Sequence, residues 1–474
     1  MNERRRTKIV ATIGPATRSV ETMAELIRAG ADVLRLNFSH GTQSEHAENV
    51  SMAREAAVLA GREVGLLGDL PGPKLRIDEV AGGLIELEDG SQLTLTTGED
   101  LGEPDHLAVS WEGLPSAVRE GDAVYLADGR VRLRVLGASP EKVRCEVEVG
   151  GPVASHQGLN LPGTDFPLPS ASRTDLDWVD FAVQHGIDLL AVSFVRRAED
   201  LQPVERRVRV AGADIPLIAK IEKPQAAENA RAIIRAALSG IMVARGDLGI
   251  ELPLERVPTV QKRLLELAGR DSRPSITATQ MLASMVSSPR PTRAEVTDVS
   301  TAIYQGTDAV MLSEETAVGE YPVEAVRVMD RVAREVEPDL PYGDWVVNRA
   351  ESENTEVAGS VARAAVGSTY TLGLAAIVVP TRSGRTARLV SAHRPRVPVL
   401  AVTPRLETVR RLQLLFGVTC TLAEDWTSLR TLLGDCARLA KEAGVASSGD
   451  LIAITAGLPE QELGTNLFEI HRVS

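Results

Sequence analysis

At 474 residues the chain is long enough for several domains, each with its own core. Its 52 basic and 65 acidic residues leave a formal charge of −13, which argues against nonspecific binding of nucleic acid. Cys145, Cys420 and Cys436 are too few and too scattered for a disulfide framework or a zinc pair, the opening MNERRRTKIV lacks an apolar signal core, and no apolar run is long enough to span a bilayer, so a cytoplasmic protein is expected.

The run Lys8–Ile13, rich in β-branched residues and closed by Gly14 and Pro15, predicts a strand, and Val20–Ala29 a helix with Gly30 as its C-cap. Residues 32–36 and 65–68 predict two further strands, separated by an amphipathic helix over 45–60. Strand and helix in alternation is the pattern of βαβ units in a parallel sheet.

The character changes over residues 72–163. LIELEDGSQLTLTT, DAVYLADGRVRLRVL and KVRCEVEVGG alternate at period 2, with Asp89-Gly90 and Asp128-Gly129 placed as hairpin turns. A small antiparallel β-barrel inserted in one strand-helix loop is expected, placed to act as a lid that excludes water.

Five more buried runs follow at 189–193, 217–219, 241–244, 275–278 and 309–312, with helices near 175–184, 199–210, 226–237, 254–267, 293–304 and 323–336. With the first three they make eight strand-helix units, the count of a closed (β/α)8 TIM barrel. An open doubly wound sheet is the alternative; polar residues at nearly every strand end favour the barrel. From about residue 339 a three-layer α/β domain is expected, with strands at 375–379, 399–402, 418–422, 451–455 and 466–473. The expected limits are 1–71 and 164–338 for the barrel, 72–163 for the lid and 339–474 for the tail.

The stretch with most chemistry is 217–251. LIAKIE and GIMVARGDLGIE each run from apolar into charge, so Lys220, Glu222, Arg245 and Asp247 fall at the carboxyl ends of neighbouring strands. Two carboxylates flanked by cations make a hard-oxygen site for Mg²⁺ beside an anionic substrate, although any one pair alone would read as a surface salt bridge. Arg35, Asn37, Asp69, Arg76, Thr279 and Ser313 complete a rim with no cysteine and one histidine, in the loop after the second strand, which favours direct phosphoryl transfer over a covalent nucleophile. Lys220 would neutralise the transferring group, and Thr279 and Ser313 could relay a proton or simply cap the next helix. No Walker A pattern is present, so a nucleotide would rely on Arg35, Arg76 and residues near Arg197. In the tail Thr381, Arg382, Ser383, Gly384, Arg385 and Thr386 lead into a helix, a phosphate-like pocket or a plain N-cap, with the two arginines favouring a ligand.

The segments ATIGPA, RLNFSHG, KIEKPQA, GIMVARGDLGIE, TATQMLASM, PRPTRAEVTDV and LSEETAVGEYPVEAV resemble the pyruvate kinase family, in order and across essentially the whole chain. The resemblance implies phosphate transfer from phosphoenolpyruvate to ADP, giving ATP and pyruvate. It implies Glu222 and Asp247 as Mg²⁺ ligands, with Mn²⁺ able to substitute, and Lys220 and Arg35 on the transferring phosphate. Ala244, Arg245, Gly246, Asp247 and Thr279 match positions around the substrate, and His40, Arg76 and Arg197 match nucleotide contacts. It also implies a homotetramer, and a sugar-phosphate or nucleotide effector at 381–386. In many members Asn37, Ser39, Asp69 and a carbonyl, here that of Leu70, hold K⁺; here Lys74 stands where its ammonium would replace the ion, so activity independent of K⁺ is expected. Lys223 and Glu314 replace the commoner Asn and Gly, and the loop 457–464 lacks the tryptophan and arginine of fructose-bisphosphate-responsive animal forms. The competing readings are a Mg²⁺-dependent lyase or aldolase, which needs no nucleotide, and a sugar-phosphate sensor on a dead barrel, which would require Lys220, Glu222 or Asp247 to be lost.

Overall fold

The computed structural model describes residues 5–73, 75–98, 101–162, 170–237, 240–348, 356–426, 428–457 and 464–474. Lys74 and most of the loop 457–464 therefore lie outside the described residues.

Eight parallel strands, Lys8–Ile13, Val33–Asn37, Gly65–Asp69, Leu189–Val192, Leu217–Ile221, Ile241–Ala244, Ser275–Ala278 and Ala309–Leu312, pair in sequence order and close, the last onto the first through Lys8 opposite Ala309. Six of them are buried at every position. In the other two the partly exposed residues are Asn37 and Lys220, both near the carboxyl ends of their strands. Alternate residues fill the interior, among them Val10, Leu67, Ile218, Met242, Ile276 and Met311, while Ile9, Leu34, Leu66 and Val243 face the surrounding helices. Leu414, from the tail domain, joins the interior set and so plugs the amino-terminal mouth.

Capping boxes start the helices Gln43–Ala60, Arg173–Gln184 and Arg293–Tyr304, through Thr42 and Glu45, Ser172 and Asp175, and Thr292 and Glu295. The expected helix over 226–237 is instead two, Pro224–Glu228 and Ala230–Ala236. They break at Asn229, whose side chain donates to the Arg196 carbonyl at 3.0 Å. A short helix, Arg245–Glu251, follows the sixth strand directly and is unannounced by its glycine-rich sequence.

The inserted domain has its own apolar cluster and a seven-stranded sheet, whose edge strands Leu75–Arg76 and His106–Val109 are tied by a bridge from Ile77 to Val109. Asp128-Gly129 lies in a hairpin, Leu126 opposite Val131. Asp89-Gly90 does not. The strands beside it, Leu84–Leu87 and Gln92–Thr97, belong to different sheets, the former pairing with Gly151–Ala154. The turn is held by partners distant in sequence: Gly90 N donates to the Val147 carbonyl at 2.7 Å, and Gly150 N to Asp89 Oδ1 at 2.6 Å. Nor is the domain wholly antiparallel, since Gln92–Thr97 runs parallel to His106–Val109.

In the tail a five-stranded sheet, ordered Val418–Leu422, Val399–Thr403, Ala376–Pro380, Leu451–Ala456, Leu467–Arg472, has apolar clusters on both faces and an antiparallel last strand. Among the described residues no helix is long and apolar enough to cross a membrane.

Candidate active site

Lys220 sits one residue before the end of the fifth barrel strand, pointing into the rim. Its Nζ lies 2.8 Å from Glu222 Oε1 and 3.2 Å from Asp69 Oδ1, and donates to Ser193 Oγ at 2.7 Å. Ser193 Oγ in turn donates to the Leu70 carbonyl at 2.7 Å, so the lysine is aimed by residues from three strand ends. On the far side of Asp69, Arg35 donates to Oδ2 at 2.7 Å and to Thr12 Oγ1 at 3.1 Å. Burial alone would lower the pKa of Lys220, but Asp69, Glu222 and Asp247 outweigh it and hold the ammonium above its usual range. Burial would raise Asp69, but Lys220 and Arg35 hold its carboxyl below the usual value. Glu222 moves the other way: burial raises it more than Lys220 lowers it, and Asp247 adds repulsion, so its carboxyl lies above the usual value.

The next two strand ends are built around Thr279. Its Oγ1 accepts from Gly246 N at 2.7 Å and donates to the Ala278 carbonyl at 2.6 Å, capping the helix Arg245–Glu251 from a neighbouring loop. Asp247 stands in the first turn of that helix and Ala244 is its N-cap residue. The guanidinium of Arg245 faces away, donating to Asp298 at 2.6 Å and to the carbonyls of Thr279 at 2.7 Å and Ala278 at 3.2 Å. Phe194, Thr279 and Gln280 all have positive φ, a strained backbone at this rim. Ser313 stands at the N-cap position of Glu314–Ala317 but makes no side-chain capping bond, and its buried Oγ has no hydrogen-bond partner among the described residues. Glu315, 2 % exposed, receives Ser313 N at 2.7 Å and Leu282 N at 3.0 Å, clamping together the loops after strands seven and eight.

Sequence reasoning missed Ser193 and Glu315. A signal for Glu315 existed in the acidic pair beside Ser313; a lone serine ending a strand carries none.

The other expected positions are more dispersed. Asn37 pairs with Asp69 across neighbouring strands, and its Oδ1 accepts from Ser39 N at 3.3 Å. His40 is exposed and its carbonyl accepts from His46 Nε2 at 2.8 Å. Arg76 lies in the inserted domain, donating to the His156 carbonyl at 2.9 Å, and Arg197 is largely exposed, 3.8 Å from Asp200. In the tail, Thr381 Oγ1 accepts from Gly384 N at 2.9 Å, Gly384 having a φ of 81° that favours glycine. Arg382 forks onto Asp425 at 2.9 Å, Arg385 pairs with Glu356, Thr386 bonds Thr465, and Ser383 is exposed.

Among the described residues no three His, Cys, Asp or Glu side chains converge as metal ligands. The pair Glu222 and Asp247 suits a hard divalent ion that draws its remaining ligands from substrate and water, and the repulsion between the two carboxylates is what such an ion relieves.

A family model described as pyruvate kinase, barrel domain, matches residues 4–326, and one described as pyruvate kinase, alpha/beta domain, matches residues 359–471. The chain is 41% identical over 475 residues to a pyruvate kinase of Geobacillus stearothermophilus, covering 99% of this chain and 81% of that one. It is 41% identical over 474 residues to pyruvate kinase 2 of a Synechocystis strain, covering 99% and 79%. The crystal structure of a pyruvate kinase from Cryptosporidium parvum matches with a TM-score of 0.93 at 35% identity, over 99% of this chain and 96% of that one. With both parts of the chain matched by the family and a lysine, an arginine and acidic groups gathered on one rim, this chain belongs to the pyruvate kinase family of phosphotransferases.

Proposed function

We propose that the chain moves the phosphoryl group of phosphoenolpyruvate to ADP at the barrel rim, yielding ATP and pyruvate. The observation that carries this is the Lys220 ammonium held between Asp69 and Glu222, with Arg35 on the far side of Asp69. Two cations so fixed would neutralise a phosphoryl group in flight with little reorganisation. Glu222 and Asp247 would hold Mg²⁺, or Mn²⁺ in its place, and the ion would supply charge neutralisation of phosphate and carboxylate oxygens. The amides at Ala244 to Asp247 and the hydroxyl of Thr279 would receive the substrate carboxylate, Arg245 contributing only backbone because its guanidinium is committed to Asp298. Ser313, whose hydroxyl is uncommitted, is the better proton relay; that of Thr279 already donates to a carbonyl.

The same reading puts nucleotide phosphates near His40, Arg76 and Arg197, an effector phosphate on Thr381 to Thr386 in exchange for the carboxylates of Asp425 and Glu356, and the chain in the cytoplasm as a homotetramer. The domain limits 1–71, 72–163, 164–338 and 339–474 follow from the same assignment. Lys74 would supply the positive charge otherwise brought by K⁺ near Asn37, Ser39, Asp69 and Leu70. A coupled assay of pyruvate release with Mg²⁺ tests the core claim: release that requires ADP supports the kinase, whereas release without nucleotide supports a lyase. Repeating it with Na⁺ in place of K⁺ at fixed ionic strength should leave the rate unchanged within about twofold; a large increase with K⁺ would refute the role given to Lys74.

A further inference from the structure

The first barrel strand, Lys8–Ile13, is apolar from Ile9 to Ala11 and then carries a hydroxyl, Thr12, which is 3 % exposed. Valine has the same branched shape and suits a buried strand, whereas a hydroxyl taken out of water costs free energy unless its hydrogen bonds are replaced. Thr12 replaces them with partners from two other strands. It shares the interior face with Val10 and lies directly opposite Arg35 on the second strand.

Thr12 Oγ1 donates to the carbonyl of Leu312 at 2.8 Å and accepts from Arg35 Nη1 at 3.1 Å. The first bond fixes the second: with its proton committed, the hydroxyl presents only lone pairs to the guanidinium. Arg35 Nε and Nη2 both reach the same oxygen, Asp69 Oδ2, at 2.7 Å each. A parallel fork onto two oxygens would lock the guanidinium plane, but a plane held at one oxygen can rock about it. The third contact, from the first strand, removes that freedom.

Thr12 is itself held firmly. The eighth strand ends at Leu312, opposite Ala11, and beyond it the side chain of Thr316 takes over as the backbone's partner. Thr316 Oγ1 accepts from Thr12 N and donates to the Thr12 carbonyl, at 2.9 Å each. Thr17 Oγ1 donates to the Thr316 carbonyl at 3.1 Å, and both threonines are buried. Gly14 lets the two loops meet, since a Cβ there would lie 2.5 Å from the Ala317 carbonyl oxygen.

We propose that Thr12 is a positioning residue for phosphoryl transfer: its hydroxyl, oriented by the Leu312 carbonyl, aims the guanidinium of Arg35 at the transferring group. Thr12 acts through Arg35, and the inference rests on the kinase reading above and on the role that reading gives Arg35. Leu312 immediately precedes Ser313, so the same hydroxyl joins the cation on the phosphate to the segment carrying the proton relay.

The test is steady-state turnover of the full chain with phosphoenolpyruvate, ADP and Mg²⁺. Thr12→Val keeps the branched shape and removes the hydroxyl. It should lower kcat by about tenfold or more and change the KM for phosphoenolpyruvate by less than about threefold. Thr12→Ser returns the hydroxyl and should recover kcat to within about threefold of the parent. A double-mutant cycle separates aiming from folding. Arg35→Lys has no Nη1 to hold and is slow by itself; adding Thr12→Val to it should cost no more than about twofold further. Parent-like turnover of Thr12→Val, a loss confined to KM, an equal loss in Thr12→Ser, or the full further loss in the Arg35→Lys background would each overturn the proposal. A parent that releases no pyruvate in response to ADP would overturn the kinase reading as well, which keeps the two failures apart.

Discussion

Two lysines, one partly exposed and one buried, stand on strands of the same barrel at opposite ends. Lys220, at the carboxyl rim, has carboxylates at 2.8 and 3.2 Å and a hydroxyl at 2.7 Å, and its ammonium is held above the usual range. Lys8, at the amino-terminal mouth, donates to the Val418 carbonyl of the tail at 2.7 Å and reaches only one carboxylate, Asp32, at 3.9 Å. That carboxylate is already shared with Arg5 at 2.9 Å and with Arg62, so burial prevails and the pKa of Lys8 falls. The contrast separates a charge surrounded by opposite charge from one buried to fasten two domains. Only the first is arranged to meet an anion entering from solvent.

Breaking each lysine should therefore give unlike results. Lys220→Met is expected to lower kcat by roughly a thousandfold or more, since it deletes the cation assigned to the transferring group, while circular dichroism and solubility stay close to the parent. Wild-type turnover in a clean preparation would end the assignment. Ser193→Ala keeps the ammonium but removes the hydroxyl that aims it, and should lower kcat by about tenfold with a smaller change in KM; a KM effect alone would make Ser193 structural. Lys8→Met should leave turnover within about twofold. Its stability at pH 7 should lie within about 1 kcal/mol of the parent, because the unpaired Val418 carbonyl is offset by the lost desolvation of the ammonium. A tenfold loss of activity would mean that the tail controls the rim through this contact.

The rim was legible for a physical reason. A buried strand tolerates few charges, so Lys220 and Glu222 at the end of LIA, and Arg245 and Asp247 at the end of IMVA, announce themselves by interrupting apolar runs. Alternation of such runs with helical stretches carried the barrel in the same way. What was not legible depends on partners distant in sequence. Asp89-Gly90 has the composition of a hairpin turn, yet it passes the chain from one sheet to another because Val147 and Gly150 supply its hydrogen bonds. Asn229 splits a helix through a bond to Arg196 that no local pattern encodes. Lys8 reads as the charged start of a strand, and only the docked tail, with Val418 and Leu414 at the barrel mouth, makes it a buried residue.

The smallest effect, and the sharpest form of the comparison, is alkaline. A lysine whose folded pKa is lowered penalises folding while it is charged, fully so below the folded value. As pH rises from that value toward about 10.4, where the unfolded chain loses its proton, the penalty is relieved and stability rises by up to about 1.4 kcal/mol per pH unit. Other groups work the opposite way. Cys145, Cys420 and Cys436, pushed up to about 12 by burial, stay protonated in the fold while the unfolded thiols ionise, so they lower stability over the same range. Absolute curves therefore mix both signs. The difference between the parent and Lys8→Met cancels the common cysteine contribution, although Cys420, Asp32, Arg5 and Arg62 face the site and remain in both proteins. Denaturant unfolding between pH 8 and 10.5 should show the parent gaining on Lys8→Met as pH rises; a flat difference, or one falling with pH, would mean that Asp32 alone balances the buried ammonium and that the two ends of the barrel treat their lysines alike.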